Sequence, residues 1–442
     1  MRRRPATGAR FTSADQGHGA VIERCLWTET LPAVSLPSTA PPARTDVAII
    51  GGGYTGLAAA RELARRGTDV TVLEQRTIGW GASSRNGGFV LPGFKPDIER
   101  LAVTLGSAEA RRLFGLSLQA VAALETLIAQ ERIECEYARC GTVVLAARPS
   151  HLAALERTRR WLRLELGYET AMLGRSELGA EIGSARYHGG LLDPFAGSLQ
   201  PAALVRGLAR SAAQGGARLV EGTLVRRVRR HGPGFELELG PTGAVLHAGQ
   251  VLVATNGYSG PAVPAVRRRI VPVGSYLIAT APLEPALVAR LIPRRRVLSD
   301  TKHLLYYFRL SADGRMVFGG RAAFTPTPVA EAGRILRRGM IEVFPELADT
   351  PVEYAWSGQV AFTRDQLPHA GVLDGVHYAA GYGGHGVALA TWLGAEMGKA
   401  LAGAGELPRM TTGFAPLPTL GGRPWFLPLV GAYYRVQDWL GR

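Results

Sequence analysis

Cysteine is scarce in this 442-residue chain, which has only Cys25, Cys135 and Cys140. An odd, sparse count without a CxxC spacing excludes a disulfide scaffold and a zinc ribbon. It predicts a reducing, cytoplasmic setting. Lysine is scarcer still relative to its class. Lys95, Lys302 and Lys399 stand alone among 51 basic residues, so the net charge of +15 is carried almost wholly by arginine. The arginines are scattered except at 226–230, 267–269 and 294–296, and alanine, glycine and proline are abundant. That pattern reads as coding bias, and no nucleic-acid partner is expected. No apolar run is long enough to span a bilayer, and no apolar stretch follows the basic residues Met1 to Arg4, so neither a membrane span nor an export signal is expected. No metal-ligand spacing is found, and no metal is expected. With 46% hydrophobic and 20% charged residues the chain is globular, and its length suits two domains.

Residues 46–74, DVAIIGGGYTGLAAARELARRGTDVTVLE, carry the strongest signal. The apolar run Val47 to Ile50 feeds a turn with Gly51, Gly53 and Gly56. An amphipathic helix follows through Leu57, Ala60, Leu63 and Ala64, stops at Gly67, and gives way to a second apolar run ending in Glu74. Gly51 permits the tight turn, Gly53 the approach of backbone to a pyrophosphate, and Gly56 close helix–strand packing. The helix N-terminus, through Tyr54 and Thr55, offers free N–H groups and a positive dipole end to phosphates. Glu74, with Gln75 beside it, sits where a carboxylate accepts from both ribose hydroxyls, which disfavours a 2′-phosphate.

Further along, the patterns predict helices over 107–132, 149–166, 199–214, 331–344 and 387–402. They predict strands over 141–146, 270–280, 303–310, 315–321 and 376–380, with Asp313-Gly314 as a hairpin turn. Residues 1–20 read as a mobile leader and 31–44 as a proline-rich lead-in, with Trp27 packing onto the body. The C-terminal RPWFLPLVGAYYRVQDWLGR leaves three uses open: docking on the body, covering a dimer contact, or touching a membrane surface.

Two more glycine-rich stretches follow the first. GWGASSRNGG brings Ser83, Arg85, Asn86 and Gly88 together, and reads equally as a ring-and-diphosphate loop or an ordinary turn. GYGGHGV, with Gly381, Gly384, His385, Gly386 and Val387, repeats the strand–glycine–helix logic. A nicotinamide enzyme needs one such cradle. A flavin needs one for its pyrophosphate and gains from a second where charge appears on reduction.

The order of GGGYTGLAAA…LE, GWGASSRNGG, the Gly197 to Pro201 step, VLVATNGY, WSGQVAFTRDQLPHAG and GYGGHGV resembles the D-amino-acid-oxidase-like flavoprotein superfamily, closest to its γ-glutamylputrescine oxidoreductase branch. The resemblance covers about 22–442. It implies an α/β fold with a Rossmann-like, GR2-type FAD-binding domain (45–95, 195–265 and 346–414) interleaved with an α+β substrate domain (96–194 and 266–345) carrying a mixed or antiparallel sheet. Residues 1–44 are then a leader and 415–442 an aromatic tail. It implies extended FAD, with Val225 near the adenine and His385 facing the flavin. Sarcosine oxidases tether FAD through a cysteine where this chain has Gly358, and dimethylglycine dehydrogenases through a histidine near Arg85, so non-covalent FAD is expected. Ser84 replaces a glycine common in the closest branch.

The expected reaction is oxidation of an amine or amino acid, with O2 or another acceptor taking the electrons. A same-fold dehydrogenase serving a quinone or carrier, or an RNA-modifying flavoprotein, are the alternatives. Lys302, Tyr306, Tyr307 and Arg309 are candidates for the active-site wall, although strand alternation puts Lys302 and Tyr306 on one face and Tyr307 and Arg309 on the other. Lys302 resembles, in rough position only, a lysine that activates O2 in related oxidases, and reads equally as a surface lysine. Arg309 reads as a carboxylate clamp or a structural ion pair, and His385 as a flavin wall in preference to a base. Substrate and oligomeric state stay open.

Overall fold

A computed structural model describes residues 24–32, 39–240, 243–320, 327–411, 413–418 and 424–440. The leader 1–20, most of the proline-rich lead-in (33–38), and Arg321 at the end of one expected strand lie outside the described residues.

Two eight-stranded sheets organise the chain. In the first, Arg44–Ile50 pairs in parallel with Val70–Leu73 on one side and Val245–Val253 on the other. Arg218–Val220 extends one flank and Val376–Ala380 the other, both in parallel. Antiparallel additions follow: His369–Leu373 at one edge, and the hairpin Leu224–His231/Gly234–Gly240. The inner strands are buried where both faces are covered: Val47 to Ile50 and Val70 to Leu73, with Thr71 the one polar residue among them, are all buried. From Arg44–Ile50 the chain goes one way to Val70–Leu73 and later the other way to Val245–Val253. Strand order therefore reverses at this strand, and a crevice opens at the carboxyl ends.

The second sheet runs Val352–Phe362, Val271–Thr280, Met316–Gly320, Tyr306–Leu310, Val297–Asp300, Thr142–Leu145, Gly190–Asp193, Ala171–Leu173. It is antiparallel except where Val297–Asp300 meets Thr142–Leu145. Helix Val329–Val343 covers one face, burying Leu336 and Met340 against Phe308 and Phe318. The α/β class with a mixed second sheet is thus as expected.

Among the described residues one helix, Ser107–Gln130, is long and apolar enough to cross a bilayer by length and composition alone. Its apolar side has another use. Ala110, Leu113, Phe114, Val121 and Leu124 are buried in the main core beside helix Gly386–Leu401.

Candidate functional site

The crevice at the switch point opens into a cavity of about 1620 Å³, larger than a typical small-ligand pocket of roughly 300–1,000 Å³. Its floor is the first glycine turn. Gly51 has φ +110°, and a Cβ there would lie 2.9 Å from the Ala254 carbonyl oxygen; one on Gly56 would lie 2.0 Å from the Gly51 carbonyl oxygen. Helix Tyr54–Ala64 has no side-chain cap. Tyr54 N–H donates to Ser83 Oγ at 3.0 Å, while Gly53, Thr55 and Gly56 N–H have no acceptor among the described residues. Glu74 reaches back: Oε2 accepts from Gly52 N–H and Oε1 from Arg76 N–H, both at 2.9 Å. The carboxylate therefore braces the turn as well as lining the cavity, where Gln75 and Val225 join it.

The second cradle belongs to helix Gly386–Leu401, also without a side-chain cap. Gly381, Gly383 and Gly384 all have positive φ (+89°, +59° and +98°), which turns the chain from strand Val376–Ala380 into the helix. A Cβ on Gly384 would meet nothing within 4 Å, because that side faces the cavity. Small residues bring the two helices together. Added Cβ atoms would lie 2.2 Å from Thr55 O at Gly394 and 2.7 Å from Ala59 O at Gly398. The same four-residue step on both helices means they run parallel, with Thr55 level with Gly394. Helical rise then staggers the two N-termini by roughly 10 Å. Thr55 Oγ1 and Tyr382 OH, 2.7 Å apart, tie one cradle to the other.

His385 lines the cavity between them. Burial, with the Lys95 charge nearby, pushes its pKa down to about 4, so the ring is neutral at neutral pH. Its Nδ1 is buried without a hydrogen-bond partner among the described residues. His369, by contrast, is held by Asp365 at 3.0 Å, by Thr411 at 3.1 Å and by a stacked Phe414.

The loop Gly81–Gly88 forms the side wall. Arg85 stacks on Trp80 and donates to its carbonyl at 2.8 Å. Asn86 Nδ2 takes the Ala82 and Ser83 carbonyls at 3.1 and 2.9 Å, and its Oδ1 accepts from Gly88 N–H at 2.7 Å. Gly88, at φ +73°, would place a Cβ 2.1 Å from Leu199 O. Gly358 passes this loop with its Cα facing Arg85 and Ala82, and lines the cavity without a nucleophile.

The substrate-side candidates separate. Lys302 lines the cavity. It sits in the turn before the strand, not in the strand, so the expected alternation does not include it. Its ammonium lies 3.2 Å from the Asp300 carboxylate and 3.4 Å from the centre of the Tyr306 ring. Burial lowers the Lys302 pKa against the opposing pull of Asp300. Tyr306 and Arg309, both expected at the active site, are not among the residues that line the cavity. The Tyr306 ring points into the second core, where Gly339 makes room for it. Arg309 is buried beneath Gly88, donates to Leu199 O at 2.7 Å and faces the Trp27 ring. Strand parity puts Tyr307 in the wall instead, with its hydroxyl 2.9 Å from Ser275 Oγ and its ring edge-on to Phe89.

The aromatic tail docks on the body. Helix Leu427–Leu440 places Leu427, Val430 and Tyr434 against the cavity, a stripe at helical spacing that sequence reading left unassigned. Asp438 accepts from His303 and Leu304 N–H at 2.8 and 3.0 Å, and Tyr434 stacks on His303.

Two uncapped helix N-termini, an acid at the second strand tip and a glycine loop between them define a dinucleotide-binding flavoprotein fold. The residues fit FAD. Glycine positions that a Cβ would block line its path, unpaired N–H groups face the phosphate end, and an unpartnered buried imidazole nitrogen waits at the other. The family described as FAD dependent oxidoreductase (DAO) matches residues 46–400, and the chain belongs to it. It is 36% identical over 357 residues to the Probable oxidoreductase OrdL of Rhizobium meliloti (strain 1021), covering 79% of this chain and 81% of that one. It is 32% identical over 402 residues to the Gamma-glutamylputrescine oxidoreductase of Escherichia coli (strain K12), covering 90% and 93%. Among solved structures, glycine oxidase from Geobacillus kaustophilus superposes with TM-score 0.69 at 24% identity, over 86% of this chain and all of that one. These agree with the expected superfamily, branch, fold and cofactor.

Proposed function

We propose that this FAD-dependent oxidoreductase oxidises the C–N bond of an amine or amino acid, with a γ-glutamylputrescine-like amine as the first substrate to try. The observation that carries the reading is the lining of the cavity. Besides the two cradles it includes Tyr307, Ser275, Leu427, Val430 and Tyr434, together with Lys302. Bound FAD supplies the two-electron acceptor. The substrate gives up hydride from carbon and a proton from nitrogen, and the imine adds water to release a carbonyl compound and an amine. The protein's part is placement and the exclusion of water. Tyr307 and Tyr434 offer flat apolar walls to the substrate chain. His385, neutral and at a helix N-terminus, would line the flavin site without taking the substrate proton. Lys302, paired to Asp300, would keep a positive charge at the cavity wall, which would favour reduction of O2 there. Glu74 selects FAD's free ribose, and Gly358 and Arg85 leave the flavin untethered. The three free thiols suit the cytoplasm.

A panel of amines, each mixed anaerobically with the holoenzyme, tests this reading. γ-Glutamylputrescine or a related amine should bleach the flavin, and air should restore it with stoichiometric H2O2. Bleaching followed by slow recovery in air assigns a dehydrogenase. No bleaching by any amine, with dithionite still effective, would overturn the substrate class.

A further inference from the structure

Three consecutive carbonyls of the cavity loop are tied from behind by side chains. Cys25 Sγ donates to Ser84 O at 3.4 Å, Trp356 Nε1 to Arg85 O at 3.0 Å, and Trp27 Nε1 to Asn86 O at 2.8 Å. Both indoles are buried, each 2% exposed, and meet edge to face at 6.1 Å. Neither lines the cavity, whereas Arg85, Asn86 and Gly87 do. The indoles therefore stand behind the loop and the cavity in front of it.

A trans peptide points its carbonyl and the following N–H in opposite directions. Holding Arg85 O and Asn86 O toward the indoles turns the N–H groups of Asn86 and Gly87 toward the cavity. The rest of the loop is arranged to keep them there. Asn86 Nδ2 takes the Ala82 and Ser83 carbonyls, which the backbone N–H of a continuing helix would otherwise meet. The short helix Ala82–Arg85 accordingly ends at Asn86 in extended backbone, ψ 175°. Among the described residues neither Asn86 N–H nor Gly87 N–H has a hydrogen-bond partner. Two adjacent unpaired donors on a cavity wall are costly unless a ligand meets them.

We infer that Trp27 and Trp356 are positioning residues of the flavin site, whose indole N–H groups fix two peptide planes so that Asn86 and Gly87 N–H face the FAD and favour the electron density that arrives on reduction. The inference rests on the FAD site and not on which amine is oxidised. Trp27 stands before residues 46–400, the region matched by the family, so this half of the clamp is supplied by an N-terminal segment outside it. That segment is itself anchored: Gln200 Nε2 donates to Trp27 O at 2.8 Å while Gln200 Oε1 caps helix Pro201–Gln214 through Ala203 N–H, and Arg206 holds Pro32 O.

Trp27→Phe and Trp356→Phe keep a buried ring and remove the donor. In each holoenzyme the two-electron midpoint potential of bound FAD is measured by dye-equilibrated photoreduction, alongside the FAD dissociation constant and the melting temperature. Each variant should lower the equilibrium ratio of reduced to oxidised flavin about tenfold, a shift of about 30 mV to more negative potential for a two-electron couple. FAD should also bind more weakly. Cys25→Ala should leave the potential in place, because the N–H after Ser84 O lies inside the short helix. A lower melting temperature with unchanged potential in the Phe variants would make the indoles merely structural and overturn the inference. If Trp27→Phe is insoluble, Trp356→Phe makes the same test from the second sheet.

Discussion

Gly394→Ala should weaken FAD binding although Gly394 lies two turns from the cavity end of its helix. The added Cβ would sit 2.2 Å from the Thr55 carbonyl oxygen and 2.9 Å from Thr55 Cα. A carbon–oxygen contact settles near about 3.3 Å, so the helices must separate by about 1 Å. Neither side of the contact is a flexible side chain, so the clash cannot be relieved by a rotamer change. Overpacking of this kind costs about 1–3 kcal/mol. It also moves one helix N-terminus relative to the other, and with them the two ends of the FAD site. Because each 1.4 kcal/mol is tenfold in affinity, losing half of that cost in binding, about 0.5–1.5 kcal/mol, raises the FAD dissociation constant by about two- to tenfold. The assay is fluorescence titration of apoprotein with FAD, paired with urea unfolding of the apoprotein. Gly115→Ala is the control: it lies mid-helix in Ser107–Gln130 with nothing within 4 Å of an added Cβ. It should stabilise by about 0.5–1 kcal/mol and leave FAD affinity alone. Unchanged FAD affinity in Gly394→Ala, with stability lost, would refute the idea that close helix packing sets the spacing of the cradles.

Three further outcomes follow from the site. His385 has a folded pKa near 4 against about 6.5 when unfolded, so the unfolded chain binds more protons between these values and apoprotein stability falls as pH drops. About 2 kcal/mol should be lost between pH 7.5 and pH 5, and His385→Gln should flatten that part of the urea-midpoint profile. Lys302→Met should slow reoxidation of reduced flavin by O2 tenfold or more in stopped flow while changing reduction by amine less than threefold; equal effects would remove Lys302 from the oxygen step. Asp438→Ala removes the acceptor of two N–H groups, worth about 1–3 kcal/mol of docking, so hydrogen exchange at 303–304 and throughout helix Leu427–Leu440 should speed up, with the core unaffected.

The dinucleotide unit was legible because its pattern is local. Strand, glycine turn, helix and acid lie within thirty residues, and each residue type there answers one steric or electrostatic demand. The second cradle was legible for the same reason. Helix positions elsewhere came from apolar periodicity: 107–132 stands as Ser107–Gln130 and 149–166 as His151–Leu166. What stayed hidden depends on contacts far apart in sequence. Strand Val352–Phe362 pairs with Val271–Thr280 across more than seventy residues, and nothing local announces that register. The expected strand 303–310 begins only at Tyr306, and the alternation that grouped Lys302 with Tyr306 does not extend to Lys302, because Asp300 accepts both Lys302 N–H and Tyr306 N–H and folds the intervening residues into a turn. One such displacement decides which tyrosine meets the cavity: Tyr307, and not Tyr306. Arg309 follows the same parity but is drawn under Gly88 by the Leu199 carbonyl and the Trp27 ring, partners more than a hundred residues away. The tail's aromatic content showed that it packs somewhere; that it lines the cavity needed Asp438 and its two amide donors to be seen in place.

The central claim is that two staggered helix N-termini hold one untethered FAD. Apoprotein titrated with FAD and followed by visible difference absorbance, then denatured and filtered, tests it in one experiment. The account predicts saturation at one FAD per chain and all of the yellow colour in the filtrate. Folded apoprotein that takes up no FAD, or flavin that stays with the denatured chain, would contradict it.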